Sequence, residues 1–119
     1  MAQFVKRKLS GSTDGKPIKV AATATLGTTI HTAVVGTTAG TYDEIWLWAY
    51  NGHTANVVLT IEFGGAGVPD QNIVITIPFK EGLYAIVPGL ILQNGMVVTA
   101  FAGTTNVITV SGYVNSITD

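Results

Sequence analysis

The sequence predicts an all-β fold: a single β-sandwich of about eight short antiparallel strands, jelly-roll-like, behind an extended N-terminal arm. Three observations predict it. Apolar residues recur with period two in nearly every segment, and β-branched residues dominate those segments. No stretch offers about ten residues at helical spacing. Gly, Pro, Asn and Thr clusters interrupt the chain at short intervals, as a sandwich of short strands requires.

The first segment, "MAQFVKRKLSGSTDGK", is basic and ends in the turn-forming "GSTDG", which sets residues 1–16 apart as an arm from a body over residues 17–119. Strand-length runs follow in order: "IKVAATAT", "TIHTAVV", "DEIWLWAY", "ANVVLTIEF", "NIVITIP", "LYAIV", "GMVVTAF" and "NVITVSGYV". Asp14-Gly15, Asn51-Gly52 and Asn94-Gly95 supply the positive φ angles of tight turns. The second lies between well-patterned flanks and predicts a hairpin joining Tyr42–Tyr50 to Ala55–Phe63. "GGAGVPDQ" is the longest loop, and "PFKEG" and "VPG" are read as further turns.

At 119 residues the chain has the length of one domain. Its residues are 47% hydrophobic and 11% charged, with a mean hydropathy of +0.43. The charged share is far below the roughly 25% of average soluble chains. A body this small has too little interior for that apolar content, so part of it is expected to face partners. The longest apolar run, "LYAIVPGLIL", is too short for a membrane-spanning helix, and Pro88 and Gly89 break it, so no membrane partner is expected. The N-terminus lacks the apolar run of a secretory leader, and export by that route is not expected. With no cysteine, disulfides and thiolate metal sites are excluded.

The net charge of −1 hides a division. Lys6, Arg7, Lys8, Lys16 and Lys19 stand against Asp14 alone in the first nineteen residues, a net of +4. The following hundred carry Lys80 against Asp43, Glu44, Glu62, Asp70, Glu81 and Asp119, a net of −5. The segment is either an ordinary solvated first strand or an arm that docks on an acidic neighbour. Phe4 lies beside the cations, but no stacking motif accompanies them and the body is acidic, so no nucleic-acid partner is expected.

In "TYDEIWLWAYNG" alternation places Ile45, Leu47 and Ala49 on one face and Tyr42, Glu44, Trp46, Trp48 and Tyr50 on the other. One face suffices for a two-layer core, so the aromatic face must meet another layer, a subunit or a ligand. Packing is the expectation for Tyr42, Trp46, Trp48 and Tyr50, and a carbohydrate-binding module is the functional alternative, because aromatic ladders stack on sugar rings. Asp43 and Glu44 are consecutive, point to opposite faces and cannot act as a glycosidase pair; they read as solvated charges at a strand entry. His31 and His53 lack metal-ligand spacing, so no metal site is expected. "VSG" lacks a nucleophile elbow, "GGAGVP" lacks the Lys and helix of a phosphate loop, and Asp70 alone falls short of a calcium site. No catalytic residue and no cofactor is expected, and the chain is read as a non-enzyme.

Taken together, "KRKLSGSTDGKPIKVAATAT", "TTIHTAV", "DEIWLWAYN", "LTIEFGG", "IPFKEGLYAIVPGLIL" and "TTNVITVSGYVN" resemble the small β-sandwich virion proteins of tailed bacteriophages, of the head decoration or capsid cement kind. The resemblance runs from Lys6 to Asn115. It implies an oligomer, most often a homotrimer, made in the host cytoplasm and seated on the outer capsid surface between capsomers. It also implies the major capsid protein as partner, with the arm residues Phe4, Lys6, Arg7, Lys8, Lys16 and Lys19 as the clamp. Related folds serve as tail and fibre parts.

Overall fold

The computed structural model of the chain describes residues 2–119; Met1, the first residue of the arm, lies outside the described residues. Among the described residues nine strands form in the order β1 (Gln3–Lys8), β2 (Ile18–Lys19), β3 (Thr28–Thr32), β4 (Tyr42–Asn51), β5 (Val57–Phe63), β6 (Asn72–Ile77), β7 (Tyr84–Leu92), β8 (Val97–Ala102) and β9 (Ile108–Thr118). They pair antiparallel in two sheets. The first runs β1-β9-β4-β7, with β2 also on β9; the second runs β3-β8-β5-β6. Gln3–Lys8 pair with Thr118–Tyr113 and Ile18–Lys19 with Val110–Thr109, so β1 and β2 are two pieces of one strand along the same edge of β9. Counted so, eight strand positions face each other, four on four, in the order of a jelly roll.

Alternation builds the core. Ile45, Leu47 and Ala49 of β4, Ile108, Val110 and Val114 of β9, Val57, Leu59 and Ile61 of β5, and Val98, Ala100 and Ala102 of β8 fill the space between the sheets. Each fully buried Val, Leu or Ile contributes about 1.5–3 kcal/mol. The residues between β1 and β2 close one edge of the sandwich. Leu9 is 1% exposed and enters the core, and the Gly11 N–H donates to the Ile30 carbonyl across to the second sheet at 3.0 Å.

The segment read as an arm is thus, over Gln3–Lys8, an edge strand of the chain's own first sheet, with all six residues exposed. Two local readings are corrected. Asn51-Gly52 makes no hairpin, because β4 and β5 lie in different sheets. Asn51 ends β4 fully buried; its Nδ2 donates to the carbonyls of Ala55 and Ile77 at 3.0 and 2.8 Å, and its Oδ1 accepts from the His53 N–H at 2.8 Å. The side chain thereby satisfies the backbone of a corner between layers, a task that outweighs its turn propensity. "VPG" is no turn either. Pro88 and Gly89 lie inside β7, an edge strand, where the β4–β7 register shifts on either side of Trp46 and Leu47. A bulge on an edge strand is where a strand tolerates Pro and Gly.

The crossing from β2 to β3 is fastened by Glu62 of β5, which is almost fully buried. Its carboxylate accepts from Thr25 Oγ1 at 2.5 Å, Thr99 Oγ1 at 2.7 Å and the Gly27 N–H at 2.8 Å. Burial pushes this carboxyl up, but the hydrogen bonds from Thr25, Thr99 and Gly27 together outweigh it and hold the group below the ordinary carboxylate range. A group whose folded-state pKa is depressed contributes stability that is fully present above its unfolded value, here the ordinary 4.5, and is lost as pH falls toward the lower folded value. Glu62→Gln is therefore expected to lower stability at pH 7 and to flatten the decline below the ordinary value. Urea midpoints measured from pH 7 to pH 3 check it; parallel curves for the two proteins would exclude this role.

Candidate functional site

The structure sorts the chemistry-bearing residues into two places. The first is the outer face of the first sheet. Tyr42, Glu44, Trp46, Trp48 and Tyr50 all lie on this face of β4, as alternation predicted, and each is half-buried. Register across the strands sets Trp46 beside Tyr113 of β9, and Glu44 beside Asn115. The Trp46, Trp48 and Tyr113 rings lie 6.4, 6.4 and 6.0 Å apart, centroid to centroid, with planes within 18–29° of parallel. Three rings in a column would place the outer two about twice as far apart as neighbours. Three nearly equal separations instead describe rings set side by side.

Polar groups border these rings. Glu44 Oε1 accepts from Trp46 Nε1 at 2.8 Å and from Asn115 Nδ2 at 3.0 Å. The Asn115 bond and then the Trp46 bond hold the Glu44 carboxyl below the usual range, against a small opposing effect of burial. Lys6 of β1 places Nζ 4.2 Å from the centroid of the Tyr113 ring, a cation–π distance.

The second place is a cleft of about 570 Å³ at the edge between β1 and β3, lined by Arg7, Lys8, His31, Thr32, Asp43 and Ser116 among others. Here the reading of Asp43 as a solvated charge is overturned: it is 3% exposed and His31 is 4% exposed. Asp43 occupies an inward position of β4, so the alternation that separates it from Glu44 carries it into the interior. His31 Nε2 and Asp43 Oδ2 are 2.6 Å apart, and the Val34 N–H donates to the same oxygen at 3.2 Å. The Ser10 N–H donates to His31 Nδ1 at 3.0 Å, so Nδ1 is the acceptor and Nε2 carries the proton it donates to Asp43. Both ring nitrogens are occupied. In this arrangement His31 has no lone pair for a substrate proton and acts as a tie between the two sheets and the end of β1.

The basic residues spread along one edge. Phe4, Lys6, Arg7, Lys8, Lys16 and Lys19 are all exposed, Phe4 at 66%. Lys6 covers Tyr113, Arg7 lines the cleft, and Lys8 Nζ donates to the Ser12 carbonyl at 3.2 Å. Sequence reasoning missed Tyr113, Asn115 and the His31–Asp43 pair. Tyr113 and Asn115 do share a face by alternation in "SGYVNSI", but only the pairing of β9 with β4 brings that face to Trp46.

No protein family model, no curated protein and no solved structure matches this chain.

Proposed function

We propose that the chain is a structural virion protein that decorates and stabilises a phage capsid, binding the major capsid protein as an oligomer, without enzymatic activity, on the outer capsid surface. The observation that carries this reading is the placement of exposed apolar side chains at the two ends of a rigid sandwich. At one end Leu26, Val35, Ile91 and Met96 are exposed, Leu26 at 69% and Val35 at 81%. Met96 is shared by two clefts there, of about 450 and 370 Å³, one lined also by Tyr42 and Ile91 and the other by Leu26 and Val97. Phe79, Leu83 and Tyr84, at and beside the turn from β6 to β7, are exposed at the other end. Apolar surface gathered in this way marks an interface. Two different apolar ends on one chain suit a heterologous contact, which gives a ring such as a trimer where its rotation closes.

Sedimentation of the purified protein is expected to show one species heavier than the 12.4 kDa chain. Ile91→Asp and Met96→Asp, each on exposed or half-exposed surface, are expected to dissociate it while leaving the sheet spectrum in circular dichroism unchanged. A wild-type monomer at micromolar concentration would refute the oligomer.

The basic edge supplies the capsid contact in this reading. Exposed charges act over about 8–10 Å at physiological salt, so decoration of bare capsids is expected to weaken as salt rises and to fall when Lys6, Arg7 and Lys8 are changed to Gln. Substitution is the sound test, because deletion through residue 16 would also remove the buried Leu9 and Ser12. Undiminished decoration by the triple variant would assign the capsid contact elsewhere.

A further inference from the structure

We propose that the outer face of the first sheet is a carbohydrate-binding site, with Trp46 and Trp48 as its floor, Tyr113 beside them, and Glu44 and Asn115 as its hydrogen-bonding partners. The site does not depend on the capsid reading: a decorating protein with this face outward would carry a glycan-adhesive surface, and a free protein would carry the same site.

The floor is built, not incidental. Trp46 lies against the β7 backbone at Gly89: a Cβ there would come within 2.7 Å of Trp46 Cζ2 and 3.0 Å of Cε2. Gly89 also has φ of +79°, in the bulged part of β7. The bulge and the missing side chain together let the indole spread over the neighbouring strand. One face of this indole is thus turned toward the sheet and the other away from it, and Trp48 and Tyr113 lie nearly parallel beside it. A pyranose has a matching shape, since one face of the ring presents C–H bonds that pack on the negative face of an aromatic ring.

A sugar also needs hydrogen-bond partners at the border of the floor, because its hydroxyls lose water on stacking. Glu44 and Asn115 stand there. Their mutual bond and that of Trp46 use Glu44 Oε1 and Asn115 Nδ2, while Glu44 Oε2 and Asn115 Oδ1 make no hydrogen bond among the described residues. These two acceptors would take neighbouring sugar hydroxyls. The low pKa of Glu44 keeps its carboxylate ionised at neutral pH, as a strong acceptor. Lys6 Nζ, 4.2 Å over Tyr113, covers the outer face of that ring, so stacking falls to Trp46 and Trp48.

The competing occupant of an aromatic face is a second protein chain. Interface centres, however, are depleted of charged residues, and this face sets Glu44 and Lys6 directly against its rings. The apolar ends described above are better surfaces for self-association.

The chain has two tryptophans, Trp46 and Trp48, so its indole fluorescence reports on this floor alone. The assembled full chain would be titrated with cellohexaose, maltohexaose, chitotetraose and a β-galactan oligosaccharide. A saturable emission change with at least one probe is expected. That affinity is expected to weaken about tenfold or more in Asn115→Ala and in Trp48→Ala, corresponding to about 1.4 kcal/mol, and to hold in Val74→Ala on the opposite sheet. Asn115→Ala keeps every aromatic ring, so it tests the site even where Trp48→Ala disturbs folding. The proposal is overturned by three results: no saturable change with any probe up to about 10 mM, well beyond the millimolar range of weak sites; binding that survives both variants; or tryptophans that acrylamide cannot quench in the assembled protein, which would make the face a subunit contact.

Discussion

Gly112→Ala is expected to leave little folded protein, with a loss of about 4 kcal/mol or more out of the roughly 5–15 kcal/mol by which domains of this kind are stable. Gly112 lies in the middle of β9, opposite Leu47 of β4, and these are the two central strands of the first sheet. A Cβ at this position would overlap the Trp46 carbonyl oxygen and lie 3.2 Å from the Leu47 Cα, both backbone atoms. No rotamer change relieves a clash with backbone. The strands would have to separate locally, yet paired residues continue on both sides, from Tyr42↔Ile117 to Asn51↔Ile108. Separation breaks ladder hydrogen bonds worth about 1 kcal/mol each and withdraws Leu47, Val110 and Val114 from the core. Urea unfolding followed by circular dichroism measures the effect. A Gly112→Ala protein within about 1 kcal/mol of the wild type would mean that β4 and β9 have slack that the close approach denies.

Gly112 also shows what a sequence conveys and what it withholds. A glycine inside "NVITVSGYV" signals close backbone approach, but not which strand approaches. The same boundary runs through the whole molecule. Period-two alternation gave the face of every residue from Tyr42 to Tyr50 correctly, because each side chain's direction is set locally by the pleat. The pairing of β9 with β4 is a nonlocal choice, and so Tyr113 and Asn115 stayed invisible as neighbours of Trp46 and Glu44. Turn chemistry holds at Asp14-Gly15 and Asn94-Gly95, whose four φ angles are positive, and fails at two other places for a related reason. Asn51-Gly52 and Pro88-Gly89 have the composition of turns, but the first satisfies a corner between layers and the second a bulge that admits the Trp46 ring. At Asp43 the two signals conflict: its charge reads as solvated, while the pleat points it inward. The partner that makes burial tolerable, His31, lies twelve residues away on the facing sheet.

That pair supports the second large expected effect. His31→Leu is expected to destabilise the protein by about 3–5 kcal/mol, the usual result of leaving a buried carboxylate without its partner. Leu matches the imidazole roughly in volume, so the loss is electrostatic rather than a cavity. Asp43 would keep the Val34 N–H on Oδ2 but lose its shortest bond, 2.6 Å, while Oδ1 already has no partner among the described residues. The Ser10 N–H would lose its acceptor as well, loosening the junction between β1 and Leu9. Asp43→Asn separates charge from geometry. Its oxygen at the Oδ2 position still accepts from His31 Nε2 and Val34, the buried charge is gone, and the amide nitrogen replaces an oxygen that had no bond to lose. Its expected cost is therefore within about 1 kcal/mol, offset by the relief of burying an ion. The double variant His31→Leu, Asp43→Leu removes both partners and is expected to recover part of the single-variant loss, since no unpaired carboxylate remains. Urea midpoints of the four proteins at pH 7 decide the matter. Equal losses in His31→Leu and Asp43→Asn would show that the carboxylate's charge, and not its missing donor, governs the site; a double variant no more stable than His31→Leu would show that the unpaired carboxylate is not the source of the loss.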